Sequence, residues 1–110
     1  MVVDQLSEPE LDRLFQALAD TTRRDIVRRV TVAEYSVSGL AGLYAMSFAA
    51  VQKHVAVLER ATLVTKEKRG REQVVRGNHE GLQKARRLLD EYEAMWRQRV
   101  GRIDEILAEG

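Results

Sequence analysis

The sequence predicts a mainly α-helical domain carrying one small β-hairpin, and three observations support this. Apolar residues recur every three or four positions along most of the chain, the period of a helix face. Leu63 to Gly77 instead reads as two short strands meeting at Gly70-Arg71, the pattern of a hairpin with a tight tip. The chain has 110 residues, one proline and no cysteine. That is the size of one small domain, read here as residues 1–110, and it excludes disulfides, thiolate catalysis and zinc–thiolate sites.

The first helix opens at Ser7, with Glu10 three residues on as a capping box and Pro9 in the first turn, where a missing N–H costs nothing. It runs to about Ala19 with Leu11, Leu14, Phe15 and Leu18 on one face. Asp20-Thr21-Thr22 ends it and can cap the second helix, about Thr22 to Thr31. There Ile26, Val27 and Val30 point inward, and Arg23, Arg24, Arg28 and Arg29 largely outward. A short third helix starts near Ser36 and uses Leu40 and Leu43. Ser47 caps the fourth, which ends near Ala61. The strands follow as Leu63–Arg69 and Glu72–Gly77, and Asn78-His79 breaks the second.

The last helix, about 79–109, has Leu82, Ala85, Leu89, Tyr92, Trp96, Val100, Ile103 and Leu107 at spacings of three and four. Its length, roughly 45 Å at 1.5 Å per residue, exceeds what a small domain can cover. Met95, Trp96, Val100 and Ile103 would stay wet on a monomer, so a self-complementary dimer is the preferred reading. The competing reading has Met95 and Trp96 filling the core of one protomer.

Charge is uneven beneath a formal net of +1. Residues 21–89 hold 14 Lys/Arg against 6 Asp/Glu, net +8, and the two ends hold 4 against 11, net −7. A basic middle between acidic ends suits a domain that meets polyphosphate with its centre, though an unevenly charged solvated surface gives the same count. An acidic opening (Asp4, Glu8, Glu10, Asp12) and no long apolar run argue against a signal peptide or membrane span, so a cytoplasmic location is expected.

On a wheel turning 100° per residue, Val51, Val55, Leu58 and Phe48 form the buried stripe of the fourth helix. Ala49, Gln52, Lys53 and Ala56 face outward. Alanines keep that face slim, Gln can pair with adenine N6/N7, and Lys can reach guanine O6/N7 or a phosphate. Ser47 and the free N–H groups at the helix start can hold a phosphate. His54 lies at the edge of the stripe; a tie to neighbouring backbone and a reach to phosphate are both open. The hairpin has Lys66, Lys68, Arg69, Arg71 and Arg76 against Glu67 and Glu72, net +3. Its tip can lie along phosphates or drop an arginine into a narrow minor groove, or serve only as an aggregation-resistant edge. A polar helix tip beside a basic hairpin is how a winged helix-turn-helix meets double-stranded DNA.

Several segments together resemble the ArsR/SmtB family of bacterial winged-helix repressors. They are Leu14-Phe-Gln-Ala-Leu-Ala-Asp-Thr-Thr-Arg-Arg-Asp-Ile26, Ser36-Val-Ser-Gly-Leu-Ala41, Met46 to Leu58, and the hairpin with Arg69-Gly-Arg71. The resemblance covers about residues 11 to 82 by motif and the last helix by position. It implies a homodimer built from the first and last helices, which places Leu11, Leu14, Tyr92, Met95, Trp96, Val100 and Ile103 at the interface. It also implies a recognition helix at 47–61, a wing at 63–77, and transcriptional repression released by a signal. The chain departs from the family pattern with Thr21 in place of proline, Thr62 in place of glycine, and Gln52 in place of a frequent serine. Ser36–Tyr44 lacks the cysteine of the family's metal sensors, and no histidine follows His79, so no metal site and no cofactor are expected. No paired-carboxylate, Ser-His-Asp or phosphate-loop set supports an enzyme. The other readings are a winged-helix protein-interaction module and a regulator of an unidentified ligand or metal.

Overall fold

The computed structural model describes residues 7–109; Asp4 of the acidic opening lies outside them. The elements are α1 (Glu8–Leu18), α2 (Thr21–Val32), β1 (Tyr35–Ser36), α3 (Val37–Ala41), α4 (Phe48–Arg60), β2 (Val64–Arg69), β3 (Glu72–Gly77) and α5 (His79–Glu109). The expected mainly α architecture with a β-hairpin wing is present. The hairpin is not alone: β1 pairs with β3, giving an antiparallel sheet of order β1-β3-β2.

Helix starts follow the capping chemistry written in the sequence. Ser7 and Glu10 form the reciprocal capping box of α1. The side chains of Asp20, Ser36 and Ser47 accept from the backbone N–H groups of Arg23, Gly39 and Ala50, starting α2, α3 and α4. The end of α4 is a Schellman turn: the Thr62 N–H donates to the Glu59 carbonyl and the Leu63 N–H to the Leu58 carbonyl. That turn needs a left-handed residue, and Thr62 supplies it at φ 58°. Without glycine's freedom, a β-branched residue there costs about 1–2 kcal/mol.

The core gathers where α2, α3, α4 and the sheet meet. Ile26, Leu40, Val51, Leu58, Leu63 and Val75 are fully buried. Two apolar expectations fail. Phe48 is 46% exposed, because it is the first residue of α4 and its side chain leans back past the packed part of the helix. Leu43 is 47% exposed, because α3 stops at Ala41 and helical spacing does not extend into the turn that follows. Leu14, expected at a dimer interface, is 1% exposed within the protomer. It belongs to the side of α1 that packs on α2, α4 and α5, so it has no surface to offer a partner; Leu11 is half-buried.

The molecule measures 69 × 30 × 22 Å with a radius of gyration of 18.8 Å, against roughly 13 Å for a compact domain of this length. The excess comes from α5. Ala85 is buried and Leu82 half-buried against the core, but from Leu89 onward the helix is exposed on every face.

Candidate nucleic-acid interface

The turn between α3 and α4 presents the outer face of α4 to solvent. Ser47, Ala49, Gln52 and Lys53 are all exposed, while Val51, Val55 and Leu58 are buried beneath them. Lys53 makes no ion pair among the described residues, so its ammonium is available to a ligand. The face is narrow, with one amide and one cation separated by methyl side chains.

His54 turns inward. Its Nδ1 lies 3.3 Å from Arg23 Nη1 and 4.0 Å from Asp20 Oδ2. Arginine can only donate, so in this contact Nδ1 is the acceptor. The bond is to a side chain from α2, not to neighbouring backbone. Arg23 itself was expected to point outward, yet its Nε donates to the Ala17 carbonyl and its Nη2 to the Gln16 carbonyl, both at 2.9 Å. Arg24 donates to the Leu18 carbonyl at 2.7 Å. The end of α1 has no basic residue in its last turn, and its free carbonyls need donors from elsewhere; that need was the signal in the sequence.

A second cluster braces the helix-turn-helix. The Tyr44 hydroxyl, in the turn before α4, donates to Asp25 Oδ2 at 2.6 Å. Arg29 Nε donates to the same oxygen at 2.8 Å, and Arg28 pairs with Asp25 Oδ1. The Arg29 guanidinium also lies 5.9 Å from the Tyr44 ring centre. The Tyr44 hydrogen bond, joined by those from Arg29 and Arg28, holds the Asp25 carboxyl down at about 2. Burial, with the bond to Asp25, pushes the Tyr44 phenol up to about 12. Helical spacing joins Asp25 to Arg29, but only the fold brings Tyr44 to them, so sequence reasoning missed the cluster.

The wing tip is a two-residue turn, Gly70-Arg71, between the pair Arg69 and Glu72. Gly70 has φ +62° and Arg71 does not have positive φ, the pattern of a type II′ hairpin turn. Arg71 and Lys68 make no ion pair among the described residues. Lys66 approaches Glu59 of α4 at 3.7 Å. Arg69 is engaged: it forms a bidentate pair with Glu34 at 2.8 and 3.2 Å and also meets Glu67 at 2.9 Å. The site residues expected from the sequence thus divide into free ones (Ala49, Gln52, Lys53, Arg71) and ones with partners inside the protein (Ser47, whose hydroxyl caps α4, and His54, Lys66 and Arg69).

Comparison with known proteins gives the same architecture. No protein-family model matches the chain. The HTH-type transcriptional regulator Rv2034 of Mycobacterium tuberculosis is 40% identical over 81 residues, covering 74% of this chain and 76% of that one. The structure of an ArsR-like transcriptional regulator from Rhodococcus sp. RHA1 superposes with TM-score 0.81 at 34% identity, over 93% of this chain and 94% of the other. The ArsR family transcriptional regulator RHA00566 gives 0.79 at 29%, over 84% and 96%. The chain belongs to the ArsR family of transcriptional regulators. More distantly, a homodimeric winged helix-turn-helix DNA-binding domain from Mycobacterium bovis shares the fold at 19% identity and TM-score 0.63, over 84% and 94%.

Within this ArsR-family chain, the described residues hold no group of three His, Cys, Asp or Glu placed to bind a metal. No described helix is long and apolar enough to cross a membrane. The apolar edge of α5 stands clear of the core: Met95 is 60% and Trp96 61% exposed, with Tyr92, Val100 and Ile103 also exposed. Met95 and Trp96 therefore do not fill the core of the protomer.

Proposed function

We propose that this ArsR-family regulator binds duplex DNA sequence-specifically as a cytoplasmic homodimer and represses transcription from a near-palindromic operator. One observation carries the reading: the slim outer face of α4, with Gln52 and Lys53 free, stands beside a wing tip with a free Arg71. Ala49, Gln52 and Lys53 meet base edges, and Ser47 and Arg71 hold phosphates. Two copies join along Tyr92, Met95, Trp96, Val100 and Ile103 of α5, with Leu11 of α1 at the margin. The exposure of that stripe supports pairing, as does the homodimeric state of the Mycobacterium bovis domain. The dimer then sets two recognition helices in successive major grooves, roughly 34 Å apart.

The test is fluorescence anisotropy with a mixed-sequence duplex at low and then raised salt. Binding at low salt that falls steeply as salt rises is expected. Absence of binding at low salt would overturn the reading and favour a protein-interaction module.

A further inference from the structure

The wing presents unequal arginines. Residues in a strand alternate between its two faces. In β2 this puts Lys66 and Lys68 on one face and Glu67 and Arg69 on the other. The lysine face is turned toward α4, since Lys66 reaches Glu59 there. The Arg69 face is turned toward the segment between α2 and β1, where Glu34 stands. All three guanidinium nitrogens of Arg69 meet carboxylates: Nη1 and Nη2 meet Glu34, and Nη2 and Nε meet Glu67. Arg76, cross-strand from Thr65 and so on the same face, also reaches Glu34, at 3.5 Å. Glu34 therefore sits between two wing arginines, and the Arg69 bond holds its carboxyl below the usual carboxylate range. A bidentate carboxylate fills the same fork of donors that a phosphate would take.

We propose that Glu34 is a positioning residue for the wing: it holds Arg69, the arginine next to the tip, off the DNA backbone and leaves Lys68 and Arg71 as the wing's phosphate contacts. This rests on the DNA-binding reading above. Arg69 and Arg71 are alike in the sequence, whereas the pairing geometry separates them.

The test uses the full chain and a mixed-sequence duplex, measuring affinity across a salt series for wild type, Arg69→Gln, Arg71→Gln, Glu34→Gln and the double variant Glu34→Gln with Arg69→Gln. Each phosphate contact contributes about 0.9 to the slope of log affinity against log salt. Arg71→Gln is expected to flatten the slope by about that amount per protomer, and Arg69→Gln to leave it unchanged. Glu34→Gln is expected to tighten binding and steepen the slope by up to about 0.9 per protomer. Because removing a negative charge anywhere near DNA helps binding, the double variant decides: it must lose the steepening. An Arg69→Gln slope as flat as that of Arg71→Gln, unchanged or weaker binding by Glu34→Gln, or a gain that persists without Arg69 would each overturn the proposal while DNA binding itself stands. A wild-type protein that does not bind at low salt would remove both.

Discussion

The carbonyl oxygen of Thr62 occupies the space where a side chain of residue 81 would begin. A Cβ built on Gly81 would lie 2.1 Å from that oxygen and 2.7 Å from the Thr62 carbonyl carbon. The left-handed turn that closes α4 is thus packed directly on the first turn of α5, and glycine is needed at 81 for approach while a non-glycine residue is strained at 62.

The two positions therefore respond in opposite ways. Gly81→Ala forces backbone apart and is expected to destabilise by about 1–3 kcal/mol. Thr62→Gly removes left-handed strain but adds freedom to the unfolded chain, leaving a gain of about 0.5–1 kcal/mol. Urea unfolding of both variants checks this; equal midpoints for wild type and Gly81→Ala would contradict the contact.

Asp25 and Tyr44 give a pH signature. The folded Asp25 carboxyl sits at about 2 against an ordinary 3.8, so its contribution is present above about pH 4 and is lost as pH falls toward 2. Tyr44→Phe removes the largest cause of that depression. The stability difference between wild type and Tyr44→Phe should be greatest above about pH 4 and shrink below it, read by urea unfolding at several pH values. At the alkaline end the sign reverses. A phenol raised to about 12 contributes stability below about pH 10, lost as pH rises toward 12. The late component of the phenolate absorbance titration should vanish in Tyr44→Phe.

Arg23 ties three elements, bonding the end of α1 and touching His54 on α4. Arg23→Lys keeps the charge but not the fork of donors. A loss of about 1–2 kcal/mol is expected in chemical denaturation, with Arg23→Lys recovering less than half of what Arg23→Ala loses. Full recovery by lysine would show that charge alone matters.

Lys53→Ala is expected to cost about 1–3 kcal/mol on the operator and less on random duplex, if the ammonium reads a base. Genomic selection with the purified protein supplies the operator, and anisotropy on both duplexes then separates the cases. Equal losses would place Lys53 on a phosphate.

Trp96→Ala should weaken self-association by about 2 kcal/mol, on the order of thirtyfold in Kd, measured by sedimentation equilibrium. A wild-type chain that stays monomeric at high concentration would contradict the proposed dimer.

Much of this was legible from the chain, for reasons that particular residues make plain. Ser7 with Glu10, Asp20 and Ser47 act within three residues of themselves, so their capping could be read locally. Gly70-Arg71 marked the hairpin tip because only a few residue pairs tolerate its geometry. The failures depend on distant partners or on where an element stops. Tyr35-Ser36 is a strand only because β3 lies beside it. Phe48 obeys the wheel but begins its helix. Leu14 sits on an apolar face whose burial depends on where α4 and α5 return. The charges of the site were visible as residue types, but which of them are already paired was not: Arg69 and Arg71 are two residues apart and alike in sequence, and Glu34, which separates them, lies 35 positions before Arg69.

The short pairing of β1 with β3 also governs how the wing can move. Tyr35 and Ser36 are bonded to the strand that carries the wing, and Ser36 is at the same time the cap of α3. The hairpin is therefore not an arm on a hinge. Swinging it would break the ladder at Val74 and Val75 and disturb the start of the helix-turn-helix. The amides of those two valines should exchange with solvent as slowly as those of the helical core, and the root of the hairpin then moves only together with the start of the helix-turn-helix.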